Sequence, residues 1–147
     1  MQAALQRRRG RFGQCYPLLI GGREVTTGRE LASCNPAHPS DVVGRVASAG
    51  PAEALAAVEA AQRALPGWRH TPAGERADLL RRTAALLERE RDELAALQVF
   101  EVGKHWREAD ADVCETIDYL SYYADEIERL TTTIDVLAGR LAARGQS

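Results

Sequence analysis

One apolar stripe constrains the fold more than anything else in these 147 residues. Between Glu101 and Leu130, the residues Trp106, Ala109, Val113, Ile117, Leu120, Ala124, Ile127 and Leu130 recur at steps of three and four. That is the period of one face of an α-helix. The spacing predicts a single long helix after a break at Gly103-Lys104. About a hundred degrees round it lies a second stripe, Glu108, Asp112, Glu115, Tyr119 and Tyr122. Three carboxylates are followed by two phenols. Such a helix can bury one face in a core and offer the other to a cation or an ammonium group.

Upstream the pattern changes twice. Ala3 to Arg9 reads as the end of a helix broken at Gly10 and Gly13. Tyr16 to Ile20 and Arg23 to Thr26 are short β-prone runs joined by Gly21-Gly22, a hairpin signal because both turn positions want φ > 0. Leu31 to Cys34 is expected to extend this sheet, with Asn35-Pro36 ending it and a turn at His38-Pro39-Ser40-Asp41. Val42 to Val46 is a third strand candidate. From Ser48 the period becomes helical: Pro51 suits a first turn, and Pro66-Gly67 is expected to stop that helix. Another begins near Pro72 with Glu75 in its first turn. The charged run Glu88 to Glu93 either bends it or stops and restarts it, and Leu94, Leu97 and Phe100 restore the apolar face. Gly103 reads as a C-cap. Thr131-Thr132-Thr133 is a poor helix former, although Ile134, Leu137 and Leu141 can resume a short amphipathic turn.

A net charge of −2, with no basic patch interleaved with aromatics, argues against nucleic acid as a partner. Residues 1–23 hold no acid and carry Arg7-Arg8-Arg9 and Arg11; without an amphipathic period they read as a basic N-terminal segment, not a transit peptide. No apolar run is long enough to span a bilayer, and the chain reads as cytoplasmic. Cys15, Cys34 and Cys114 are odd in number and widely spaced, as expected of reduced thiols.

Four segments in order resemble the N-terminal part of bacterial 1-pyrroline-5-carboxylate dehydrogenases, members of the aldehyde dehydrogenase superfamily. They are Y-P-L-L-I-G-G-R-E-V-T-T (Tyr16 to Thr27), C-N-P-A-x-P-x-D-V-V-G (Cys34 to Gly44), W-x-x-T-P-x-x-E-R-A-D-L-L (Trp68 to Leu80) with E-L-A-A-L (Glu93 to Leu97), and the run from Glu101. In that last run, E-A-D-A-D-V and E-x-I-D point to the pyrroline-carboxylate branch. The resemblance implies oxidation of L-glutamate γ-semialdehyde to L-glutamate with NAD in proline catabolism. It divides the chain into the basic segment 1–15, a dehydrogenase-like portion 16–130 and a divergent tail 131–147. The resembled enzymes are far longer than one small domain. Their nucleophilic cysteine, general-base glutamate, nucleotide loop and oxyanion-hole asparagine correspond to nothing here. The chain is therefore expected to be a truncated portion, inactive alone, with no catalytic, cofactor-binding or metal residue of its own.

The resemblance also singles out Glu115. In those enzymes the glutamate of E-x-I-D helps hold the α-ammonium of the amino-acid substrate, a task suited to a carboxylate because charge-assisted hydrogen bonds are the stronger kind. On the residues alone, Glu115 reads as part of a solvated helix face, where acids are routine. Glu108, Asp112 and Glu115 cannot ring a hard cation from one helix. His38, His70 and His105 lack triad-like partners, and Lys104 lacks a Gly-rich cradle. Gly13-Gln14-Cys15 lacks a residue of the family's Gly-Gln-x-Cys nucleophile loop and lies at the wrong end of the chain. Trp68 and Trp106 read as packing anchors between helices.

The expected fold is α+β: a small antiparallel hairpin sheet packed on three to four helices, an incomplete N-terminal portion of an aldehyde dehydrogenase fold. Much of the long helix's stripe should then lack its usual cover and be available for self-association. The alternative function is a non-catalytic helical interaction module that self-associates or docks on a full-length dehydrogenase.

Overall fold

The computed structural model describes residues 1–144; residues 145–147, the end of the segment 131–147, lie outside the described residues. The elements are α1 (Gln2–Arg9), β1 (Cys15–Tyr16), β2 (Leu18–Ile20), β3 (Arg23–Val25), β4 (Glu30–Asn35), β5 (His38–Ala47), α2 (Pro51–His70), α3 (Ala73–Arg89), α4 (Arg91–Val102) and α5 (Trp106–Arg144). The architecture is α+β, as the pattern predicts. The chain forms two compact units, residues 1–70 with 91–112 and residues 71–90 with 113–147.

In the first unit, β2 and β3 pair antiparallel across Gly21 and Gly22, whose φ angles are 58° and 77°. This is the hairpin the Gly-Gly link demands. β4 does not extend that sheet, as expected from sequence, but pairs with β5 in a second one, ordered β1-β5-β4. The reason is a tighter turn than the one expected at His38 to Asp41. Asn35 is buried and its Oδ1 accepts the Ala37 N–H at 3.0 Å. That bond turns the chain at 36–37, so β5 already starts at His38, opposite Asn35. β1 pairs parallel on the other edge of β5.

The helices of this unit are held mainly by small buried residues. Ala4 on α1, Ala95 and Ala96 on α4, and Ala109 on α5 are all fully buried. Phe12 meets Phe100 edge to face with centroids 5.1 Å apart, and the Arg9 guanidinium lies 5.4 Å from the Phe100 ring centre. α4 is fixed to the sheet by Ser33 Oγ, which donates to Glu101 Oε1 at 2.9 Å. Gly103 ends α4 with φ 72°, the C-cap that its position suggests.

α2 runs through Pro66 to His70 instead of stopping there. Pro66 cannot donate to the Gln62 carbonyl, but residues 61–70 are all exposed, so water can satisfy it. His70 Nδ1 donates to the Pro66 carbonyl at 2.7 Å. α2 has no buried residue, and Trp68 and Trp106, expected as packing anchors, are both exposed.

In the second unit, Arg81 ties α3 to α5. Its Nη2 donates to Glu128 Oε2 at 2.7 Å and to Asp125 Oδ1 at 2.8 Å, and its Nη1 to Glu128 Oε1 at 3.2 Å. Ala77, Ala84, Val113 and Ala124 are buried. The charged run from Glu88 resolves as a stop and restart: α3 ends at Arg89 and α4 begins at Arg91.

The three threonines do not end α5. Thr131, Thr132 and Thr133 each turn the hydroxyl back onto the carbonyl four residues earlier, at 2.7, 3.0 and 2.9 Å. Satisfied locally, the hydroxyls no longer compete for other backbone groups. No helix among the described residues is long and apolar enough to cross a membrane.

Candidate functional site

The stripe on α5 is covered along its middle, while Trp106 and Leu130 at its two ends are exposed. Ala109, Val113 and Ala124 are buried, and Ile117, Leu120 and Ile127 are half-buried. The second stripe leaves Glu115, Tyr119 and Tyr122 exposed. An α-helix places residues at i, i+4 and i+7 on one side, so the Glu115 carboxylate and the two phenols share a face.

Tyr119 and Tyr123 stack with ring centroids 6.2 Å apart, and Tyr122 meets Tyr123 edge to face at 5.3 Å. The Tyr119 and Tyr122 rings share a helix face with the Glu115 carboxylate, a combination that can attract an ammonium group by charge and by quadrupole. Among the described residues Glu115 has no hydrogen-bond or ion-pair partner, so nothing competes for its oxygens.

The other two acids of the stripe fare differently. Asp112 is taken by Lys104 in the first unit, a pairing that explains both the lysine and why Asp112 does not serve the same face. Glu108 is exposed near the start of α5. Among the described residues no group of three acids, histidines or cysteines could hold a metal ion. His105 Nδ1 accepts the Arg107 N–H at 3.3 Å and its ring lies beside Trp106, a local helix-start role.

Two arginine clusters escaped the sequence reading, because each joins residues distant in the chain. One is Arg81 with Asp125 and Glu128. Its bond to Arg81 holds the Glu128 carboxyl below the usual range, and the same bond raises Arg81 further above its own. The other is Arg91 with Asp110, which lowers the Asp110 carboxyl in the same way. Both are structural clamps. A cavity of about 230 Å³ in the first unit is lined by Arg8, Tyr16, Ser33, Leu97 and Glu101 among others, none of them a predicted site residue.

A dinucleotide needs free N–H groups at a helix N-terminus. α2 carries Glu53 in its first turn, where the carboxylate accepts the Gly50 N–H at 2.7 Å. α3 and α5 carry Glu75 and Glu108 in the same place, where a carboxylate repels a pyrophosphate.

Comparison with known proteins gives a consistent picture. The aldehyde dehydrogenase family matches residues 24–143. A 1-pyrroline-5-carboxylate dehydrogenase of Bacillus pumilus (strain SAFR-032) is 47% identical over 119 residues, covering 81% of this chain and 23% of the relative. One from Geobacillus sp. (strain WCH70) is 42% identical over 135 residues, or 92% and 26% of the two chains.

A crystal structure of the Thermus 1-pyrroline-5-carboxylate dehydrogenase with bound NAD superposes with a TM-score of 0.83 at 51% identity, over 84% of this chain and 24% of that one. Escherichia coli lactaldehyde dehydrogenase superposes at 0.75 with 34% identity, over 80% and 25%. The fold is thus shared with an enzyme named for another aldehyde, while the identity is higher towards the pyrroline-carboxylate enzyme. The chain spans about a quarter of the length of the relatives it matches.

Proposed function

The chain belongs to the aldehyde dehydrogenase family, and on that premise we propose that it forms the amine-recognising N-terminal portion of a 1-pyrroline-5-carboxylate dehydrogenase. The reaction is oxidation of L-glutamate γ-semialdehyde to L-glutamate with NAD, in the cytoplasm. Residues 16–130 are its functional portion, with the basic segment 1–15 before them and 131–147 after. Glu115 accepts a hydrogen bond from the substrate α-ammonium and thereby selects an amino-acid aldehyde over a simple one. It is a binding residue and takes no part in bond making. No residue of this chain is assigned the nucleophile or the NAD contacts, so the 147 residues alone oxidise nothing.

The observation that carries this reading is Glu115 itself: a carboxylate exposed and unpaired on α5, beside exposed tyrosines. A surface acid that served only solubility would need no such neighbours. The test is a chimera in which residues 16–130 replace the matching segment of the Thermus enzyme. It should reduce NAD with glutamate γ-semialdehyde, and the isolated chain should not. A folded, NAD-binding chimera that oxidises propanal but not the semialdehyde would contradict the proposal.

A second reading, the non-catalytic interaction module, is favoured by one observation: Leu130, Ile134, Leu137 and Leu141 are all exposed on the distal part of α5.

A further inference from the structure

We propose that a second copy of this chain packs antiparallel against the distal part of α5, through the seam Tyr123, Ile127, Leu130, Ile134, Leu137 and Leu141. This deepens the interaction-module reading, and the dimer would form whether or not the chain recognises an amino-acid aldehyde.

The seam follows from spacing and exposure together. Its six residues are separated by four, three, four, three and four positions, a strict heptad alternation that differs from the 3.6-residue drift of a merely buried face. The a-type positions are Ile127, Ile134 and Leu141, and the d-type positions are Tyr123, Leu130 and Leu137.

Upstream, α5 is covered: Ala124 is buried, and Ile127 and Thr131 are half-buried. From Thr132 to Ala142 every residue is exposed, including Ile134 at 63% and Leu141 at 70%. An isolated helical arm with a continuous apolar seam is disfavoured in water unless another helix covers it.

Charge selects the occupant and its direction. The positions flanking the seam beside each a residue are Glu126, Thr133 and Arg140. In an antiparallel pair with Ile127 level with Leu137 of the second copy, Glu126 stands beside Arg140 of that copy. Two-fold symmetry repeats the pair at the other end, and Thr133 faces its own counterpart at the centre. Tyr123 and Leu141 then close the outer layers. A parallel pair sets Glu126 against Thr131 and Thr133 against Ala138, with no charge matched. Glu126 is already held by Arg129, at 2.9 and 2.6 Å, but a carboxylate can accept from a second guanidinium. The seam is its own complement in charge.

The test is sedimentation equilibrium on the 147-residue chain. A dimer with Kd on the order of 10 μM is expected for so short an interface. Ile134→Asn with Leu137→Asn should weaken it at least tenfold; both side chains are exposed in the monomer. Val136→Asn, equally exposed but off the seam, should leave it unchanged, as should Leu55→Asn on α2. Glu126→Arg should weaken the dimer about fivefold, and adding Arg140→Glu should restore it. A chain that stays monomeric at roughly twenty times that concentration would overturn the proposal. So would a dimer indifferent to the seam substitutions, and so would one that weakens with Glu126→Arg but is not restored by the second reversal.

Discussion

Arg91 grips Asp110 with two parallel bonds, Nε to Oδ1 at 2.6 Å and Nη2 to Oδ2 at 2.8 Å, so the start of α4 is fixed to the start of α5. The Asp110 carboxyl is held below its usual value, first by this bond and then by the charges of Arg91 and the Met1 ammonium. A depressed carboxyl stabilises the folded state above its unfolded pKa, near 3.8, and loses that contribution as pH falls through the folded value. Both side chains are about a third exposed, which limits the gain to roughly 0.5–1 kcal/mol. Asp110→Asn should therefore lower stability by that amount at pH 7 in urea melts, and the deficit should shrink as pH drops below about 4.

Gly103 should tolerate no side chain. Its φ is 72° and an added Cβ would lie 2.9 Å from Pro36 Cγ. The left-handed backbone costs about 1 kcal/mol for a residue other than glycine, and the contact with the proline ring adds to that. Gly103→Ala should destabilise the first unit by about 2–3 kcal/mol, read as a lower urea midpoint. A loss under roughly 0.5 kcal/mol would mean that the loop relaxes freely.

The three threonines within α5 should be replaceable at a profit in helix stability. Each is a weaker helix former than alanine, by about half a kcal/mol, and its hydroxyl is occupied by its own helix. Changing Thr131, Thr132 and Thr133 together to alanine should raise stability by about 1 kcal/mol. The signal at 222 nm should hold or deepen. A loss of helix signal would show that the hydroxyls do more than bond back.

What could be read from sequence was what repeats locally. The long helix, the Gly21-Gly22 hairpin, the Gly103 cap and the stop at Glu88 to Glu93 each rest on neighbours within a few residues. So did the resemblance, whose family is the one that matches. The errors were local rules overruled by surroundings: Pro66 is harmless in an exposed helix, and an Asn35 side chain moved a turn by two residues. Sheet partnership was not legible, because β4 could pair with either neighbour until the tight turn at 36–37 chose β5. The arginine clamps were invisible for the same reason, since Arg81 and Glu128 lie 47 residues apart. At the candidate site the helical period sufficed to put Glu115 and the tyrosines on one face, but only the fold showed that Lys104 removes Asp112 from it.

Steady-state kinetics of the chimera with Glu115→Gln test whether Glu115 holds the substrate ammonium. Loss of one charge-assisted bond, worth about 1.5–3 kcal/mol, should raise KM for glutamate γ-semialdehyde roughly ten- to a hundredfold. The kcat should stay within about twofold, because the bond is made in ground and transition states alike. KM for propanal, which has no ammonium, and the melting temperature should not move. An unchanged KM for the semialdehyde in a folded, active chimera would contradict the assignment and leave Glu115 as one more solvated acid on a helix.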